Sequence, residues 1–89
     1  MKDEGKARIL VVDDDRFSQQ LLQDMLFPLG YAVSVAGDGL AAIDLARRIR
    51  PHLILLDVVM PLMDGFEACE LLKADAATAN IPVLRGTTA

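Results

Sequence analysis

Only one cysteine occurs in the chain, Cys69. It cannot close an internal disulfide, so a disulfide scaffold is excluded and a reducing compartment is expected. Positive charge is in deficit. Nine Lys and Arg against thirteen Asp and Glu leave a formal net charge of −4, and the isoelectric point is near 4.7. That balance argues against nucleic acid or an anionic membrane as a direct partner. No apolar run approaches the ~18–20 residues of a membrane helix. The opening Met1-Lys2-Asp3-Glu4-Gly5-Lys6 lacks the apolar segment of a signal peptide. Repeats, low-complexity tracts and linkers are likewise missing. These absences lead us to expect a soluble, cytoplasmic, globular chain.

What the chain has is apolar bulk. Hydrophobic residues make up 53% of its 89 positions, and mean hydropathy is +0.34. Disorder is excluded, since it goes with low hydrophobicity and high net charge. The length allows one small domain, able to bury roughly 60–68% of the surface its unfolded chain exposes.

The elements alternate. Arg8–Asp13 is a continuous apolar, β-branched run, the pattern of a buried strand. Asp15 offers a carboxylate cap. Ser18, Leu21, Leu22, Met25 and Leu29 then follow helical spacing, ended by Pro28 and Gly30. Tyr31–Ala36 predicts a second strand and Gly37-Asp38-Gly39 a turn, with Asp38 capping the next helix. Ala42, Leu45, Ala46 and Ile49 give that helix its stripe. Arg47, Arg48 and Arg50 form a solvated C-terminal end that suits the helix dipole, and Pro51 stops it. Leu53–Asp57 is a third buried strand and Val58–Gly65 a loop. Asp64 and Glu67 have capping-box spacing ahead of a third helix, whose stripe is Phe66, Cys69 and Leu72. Ala74–Asn80 is a polar loop, and a fourth strand begins at Ile81–Leu84. This βαβαβαβ order implies an open parallel sheet with helices on both faces. Such sheets bind ligands beyond the carboxyl ends of their strands.

Two of the strong strands end in carboxylates: Asp13-Asp14-Asp15 after the first and Asp57 after the third. If those strands are neighbours, Asp13, Asp14 and Asp57 converge. Like charges ~4 Å apart cost about 1–4 kcal/mol per pair at effective dielectrics of 80 to 20. A hard divalent cation removes that cost, and Mg²⁺ takes oxygen ligands, often one or two carboxylates with several waters. The competing reading is that the Asp run is only a helix cap with solvated turn residues. Asp57 at the end of an otherwise apolar strand weighs against it. A carboxylate beside Mg²⁺ can attack phosphorus to give an acyl phosphate.

Ile9-Leu10-Val11-Val12-Asp13-Asp14-Asp15, then Leu55-Leu56-Asp57-Val58-Val59-Met60-Pro61-Leu62-Met63-Asp64-Gly65, then Ile81-Pro82-Val83-Leu84 resemble the receiver domain of two-component response regulators. The resemblance runs from Ala7 to about Leu84. It implies a bacterial phosphorelay protein of flavodoxin-like α/β fold, with strand order 2-1-3-4 over the part present. It implies that Asp57 accepts a phosphoryl group from a histidine kinase or phosphotransfer protein, and that the chain is not an enzyme beyond its own phosphorylation and dephosphorylation. Asp14 resembles the direct Mg²⁺ ligand and Asp13 one acting through water. The backbone carbonyl of Val59 resembles a further ligand, and Mn²⁺ or Ca²⁺ are alternatives for the cation. Thr87 resembles the switch hydroxyl, with Thr88 as its rival if the register slips by one.

Against the family pattern, Arg85 and Gly86 fall at strand positions expected to be buried. The sequence stops at Ala89, before the family's fifth strand, last two helices, phosphate-contacting Lys and aromatic switch residue. The expectation is therefore one incomplete receiver domain over residues 1–89, with residues 1–6 frayed or disordered. Self-association is expected through the fourth strand or the uncovered sheet face. The alternative function is a receiver fragment that no longer signals and serves as an interaction module.

A weaker alternative is dinucleotide binding, because Gly37-x-Gly39-x-x-Ala42 matches the short fingerprint. Asp38 would repel a pyrophosphate there. Cys69 reads as a core residue and His52 as a surface loop residue without ligand partners. Met25, Met60 and Met63 read as packing.

Overall fold

The computed structural model of the chain describes residues 5–57 and 65–86. Four strands, β1 (Arg8–Val12), β2 (Ala32–Ala36), β3 (Leu53–Asp57) and β4 (Val83–Gly86), form one parallel sheet in the order β2-β1-β3-β4. Helices α1 (Arg16–Leu26), α2 (Gly39–Ile49) and α3 (Gly65–Ala74) alternate with them, and a short 3-10 turn, Phe27–Leu29, extends α1. This is the expected flavodoxin-like arrangement.

Successive strand side chains face opposite sides of the sheet. On one face Leu10, Val12, Ala36, Ile54 and Leu56 meet Ala42 and Ala46 of α2 and Leu72 of α3, forming the buried core. Cys69, Ile43, Leu45 and Ile49 pack against its margin. On the other face Ile9 and Val11 are also buried, and α1 packs on β1 and β2. Burial on both faces explains why β1 reads as an unbroken apolar run.

Local chemistry sets the helix starts. Asp15 caps α1, with its Oδ2 accepting from the Ser18 amide at 3.1 Å and the Ser18 hydroxyl at 2.8 Å. Asp38 caps α2, with its Oδ1 accepting from the Ala41 amide at 2.8 Å. At the far end of α2, Arg50 adopts a left-handed conformation at φ 47°. Its carbonyl, with that of Ile49, accepts the Arg8 guanidinium. Arg47 is not merely solvated, because it pairs with Asp75 and so ties α2 to the turn after α3.

Three expectations need correction. Every residue of α1 is exposed or half-buried. Leu22 and Leu26 are half-buried, while Phe17 (74%), Leu21 (49%) and Met25 (59%) stand in solvent. Of the inferred stripe, Ser18 and Leu22 are half-buried whereas Leu21, Met25 and Leu29 are exposed, so Met25 is not a packing residue. β4 begins at Val83 rather than Ile81, because the Ile81 amide closes a turn onto the Thr78 carbonyl. Pro82, lacking an N–H, joins the ladder only as an acceptor, from Ile54. Arg85, expected at a buried position, is exposed.

Candidate functional site at the carboxyl ends of the strands

The sheet's carboxyl rim gathers the acidic residues. β1 and β3 run in parallel register with Val12 level with Leu56. Asp13 directly follows β1 and Asp57 is the next residue of β3, so their backbones reach the same rim, where neighbouring strands lie roughly 4.8 Å apart. On its other flank Asp57 pairs with Gly86 of β4.

Asp13 is held from several directions. Its amide donates to the Ala36 carbonyl of β2 at 3.0 Å. Its Oδ1 accepts the Asp15 amide at 3.0 Å, closing a tight turn. Its carbonyl accepts the Gln19 side-chain amide at 2.5 Å. The residue is only 4% exposed. Asp14, the next residue, is exposed at the lip of the rim. Asp15 points away into its capping role. The Ser18 hydroxyl, and then the Ser18 amide, hold its carboxyl below the ordinary value of 3.8.

Two consecutive acidic residues therefore stand at this rim, Asp13 buried and held and Asp14 exposed, with the end of β3 level beside them. This all-oxygen donor set suits a hard cation that takes one or two carboxylates and retains water. Among the described residues no group of three or more His, Cys, Asp or Glu gathers to hold a metal. The side chain of Asp57, together with Val59, Thr87 and Thr88, lies outside what is described, as do Met60, Pro61, Met63 and Asp64.

The other sequence-level candidates resolve differently. The Asp38 carboxylate already takes the Ala41 amide, the kind of helix N-terminal donor a pyrophosphate would use. The exposed His52 is built into the opposite rim. Its Nδ1 accepts the Arg8 amide at 2.9 Å, and its own amide donates to the Arg8 carbonyl at 2.8 Å. Lys73 donates to the Ile81 carbonyl at 3.1 Å, bracing the turn into β4. Gln19 had no signal in the sequence, since a polar residue in the second turn of a helix has no motif attached to it.

A parallel sheet in the order β2-β1-β3-β4 with acidic residues at its carboxyl rim places the chain in the flavodoxin-like class of α/β folds. The profile of the response regulator receiver domain matches residues 9–89. The chain belongs to that family, whose members are signalling domains of two-component systems. It is 51% identical to the response regulator PleD of Caulobacter vibrioides over 78 residues, which cover 88% of this chain and 17% of PleD. Among solved structures it resembles the chemotaxis protein CheY4 of Vibrio cholerae. The TM-score is 0.86 at 33% identity, covering 91% of this chain and 68% of that one. It also resembles the receiver domain of the sensor histidine kinase PA1611 from Pseudomonas aeruginosa, a structure with a magnesium ion coordinated in its active-site cleft. Here the TM-score is 0.84 at 32% identity, covering 91% of this chain and 66% of that one. The chain thus spans about a sixth of PleD and about two thirds of these solved domains.

Proposed function

We propose that the chain accepts a phosphoryl group on Asp57 from a histidine kinase or a phosphotransfer protein, in a reaction that depends on Mg²⁺. A carboxylate oxygen of Asp57 forms the new bond to phosphorus. The phosphorus–nitrogen bond of the donor phosphohistidine breaks, and the imidazole leaves with the electron pair and takes up a proton. Asp13 and Asp14 would hold the cation, with the Val59 carbonyl as a further ligand. When bound, it neutralises the phosphoryl oxygens and so lowers the barrier by electrostatics. Thr87, or Thr88 in a shifted register, supplies the hydroxyl that responds to the phosphate. The chain acts catalytically only on its own acceptor, and the outcome is a changed surface for a protein partner.

The observation that supports this reading is the register of β1 and β3, which sets Asp13 and Asp57 level at one rim. The test is incubation with acetyl phosphate, or with beryllium fluoride as a mimic, with and without Mg²⁺. We expect a Mg²⁺-dependent mass gain of one phosphoryl group that Asp57→Ala abolishes. A parent chain that neither gains mass nor binds the mimic would overturn the reading and favour a fragment that serves only in association.

Association has its own support. Phe17, Leu21 and Met25 of α1 and Leu84 of β4 are exposed, and β4 offers an edge on which a second copy can pair. We propose that copies of the chain self-associate through these surfaces.

A further inference from the structure

Gln19 connects the acidic rim to the helix behind it. It lies in α1, six residues beyond Asp13, and is half-buried. Its side-chain nitrogen donates to the Asp13 carbonyl at 2.5 Å. The same nitrogen lies 4.0 Å from where a Cβ at Gly37 would stand, so the amide fills the gap between the β1–α1 and β2–α2 loops. The Asp13 carbonyl leads directly into the peptide of Asp14, the exposed carboxylate of the rim. The Asp13 amide is taken by strand β2, and its Oδ1 accepts the Asp15 amide. The Gln19 bond comes from a side chain and reaches the peptide joining the two acids.

We infer that Gln19 is a positioning residue. It fixes the Asp13–Asp14 peptide, so that the two carboxylates are presented to a divalent cation without first having to be ordered. This rests on the reading of Asp13 and Asp14 as the cation-holding pair. A pre-ordered pair loses less conformational freedom on binding, and one hydrogen bond of this kind is worth about a two- to tenfold change in an equilibrium constant.

The test uses Gln19→Met, which keeps length and helix propensity but removes the donor, with Gln19→Ala as a second variant. Mg²⁺ affinity is measured by titration calorimetry, and amide hydrogen exchange of Asp14 and Asp15 is measured in metal-free protein. We expect Mg²⁺ to bind about two- to tenfold more weakly to both variants. We also expect faster exchange at Asp14 and Asp15, while exchange in β1 and β3 stays at the parent level. Parent-like Mg²⁺ affinity in both variants would overturn the role of Gln19 and leave the cation site standing. If the parent chain itself binds no Mg²⁺, the cation reading fails. The clamp is then judged on exchange alone, and unchanged exchange at Asp14 and Asp15 overturns it too.

Discussion

Thr78 donates its hydroxyl to the main-chain carbonyl of Leu72 at 2.5 Å, and both residues are fully buried. The bond satisfies a carbonyl in the last turn of α3 that has no partner within the helix. It also pins the turn that delivers the chain to β4. Thr78→Val keeps the shape and removes the donor, leaving a buried carbonyl unsatisfied. We expect a loss of about 1–3 kcal/mol in urea unfolding. Thr78→Ser keeps the hydroxyl and should lose clearly less. Equal losses in the two variants would mean that the methyl group, not the bond, matters.

Acid should weaken the fold through its caps. Ser18 lowers the Asp15 carboxyl from 3.8, and the Ala77 amide followed by Arg47 lowers that of Asp75. A carboxylate whose folded value lies below its unfolded one contributes stability that is present above the unfolded value. That stability is lost as pH falls through the folded one. Thermal stability should therefore hold steady down to the neighbourhood of 3.8 as far as these groups are concerned, then decline. Asp15→Asn keeps an oxygen for the Ser18 amide but does not titrate. Its acid decline should be shallower than the parent's, and an unchanged decline would remove Asp15 from the account.

Arg50 carries backbone strain at the end of α2. Its φ of 47° is a conformation that costs a side-chain-bearing residue about 1–2 kcal/mol. Only its carbonyl is needed to receive Arg8. Arg50→Gly should raise stability by about 0.5–1 kcal/mol, the relief being partly offset by the greater freedom of glycine in the unfolded chain. Chemical denaturation checks this, and a less stable variant would show that the Arg50 side chain has a role of its own.

Sedimentation velocity over a micromolar concentration series should show reversible association. Charged substitutions of the exposed apolar surface, Leu21→Lys with Leu84→Lys, should suppress it. A cooperatively folded parent that stays monomeric throughout the series would remove the proposal of self-association.

The strands of the interior were legible because burial on both faces imposes unbroken apolar runs, as in Ile9–Val12 and Leu53–Leu56. Caps were legible because Asp15 and Asp38 act on amides three residues away. The face of α1 was legible only in part, at Ser18 and Leu22. Phe17, Leu21 and Met25 share the same four-residue step as Ser18, Leu22 and Leu26, and only contact with the sheet decides which line lies inward. The start of β4 was misplaced because Ile81 is committed to a turn by Thr78, a contact that depends on how α3 packs. The acids at the rim were visible one by one. That Asp13 and Asp57 share a level required the strand order, which came from family resemblance and which periodicity could not supply. Nothing local announced Gln19, whose partner is a carbonyl.

Helix α1 is tethered mainly at one end. Asp15 and Gln19 fasten its first turns to the rim, whereas the rest of it lies on the sheet without a single fully buried side chain. Opening such a helix gives up no fully buried side chain of its own, although it uncovers Ile9 and Val11 on the sheet beneath. Because the fastenings are at the acidic end, ligation there and docking of the helix share one equilibrium. Whatever steadies the rim should quieten the whole of α1, and whatever grips its outer flank should sharpen the rim in return.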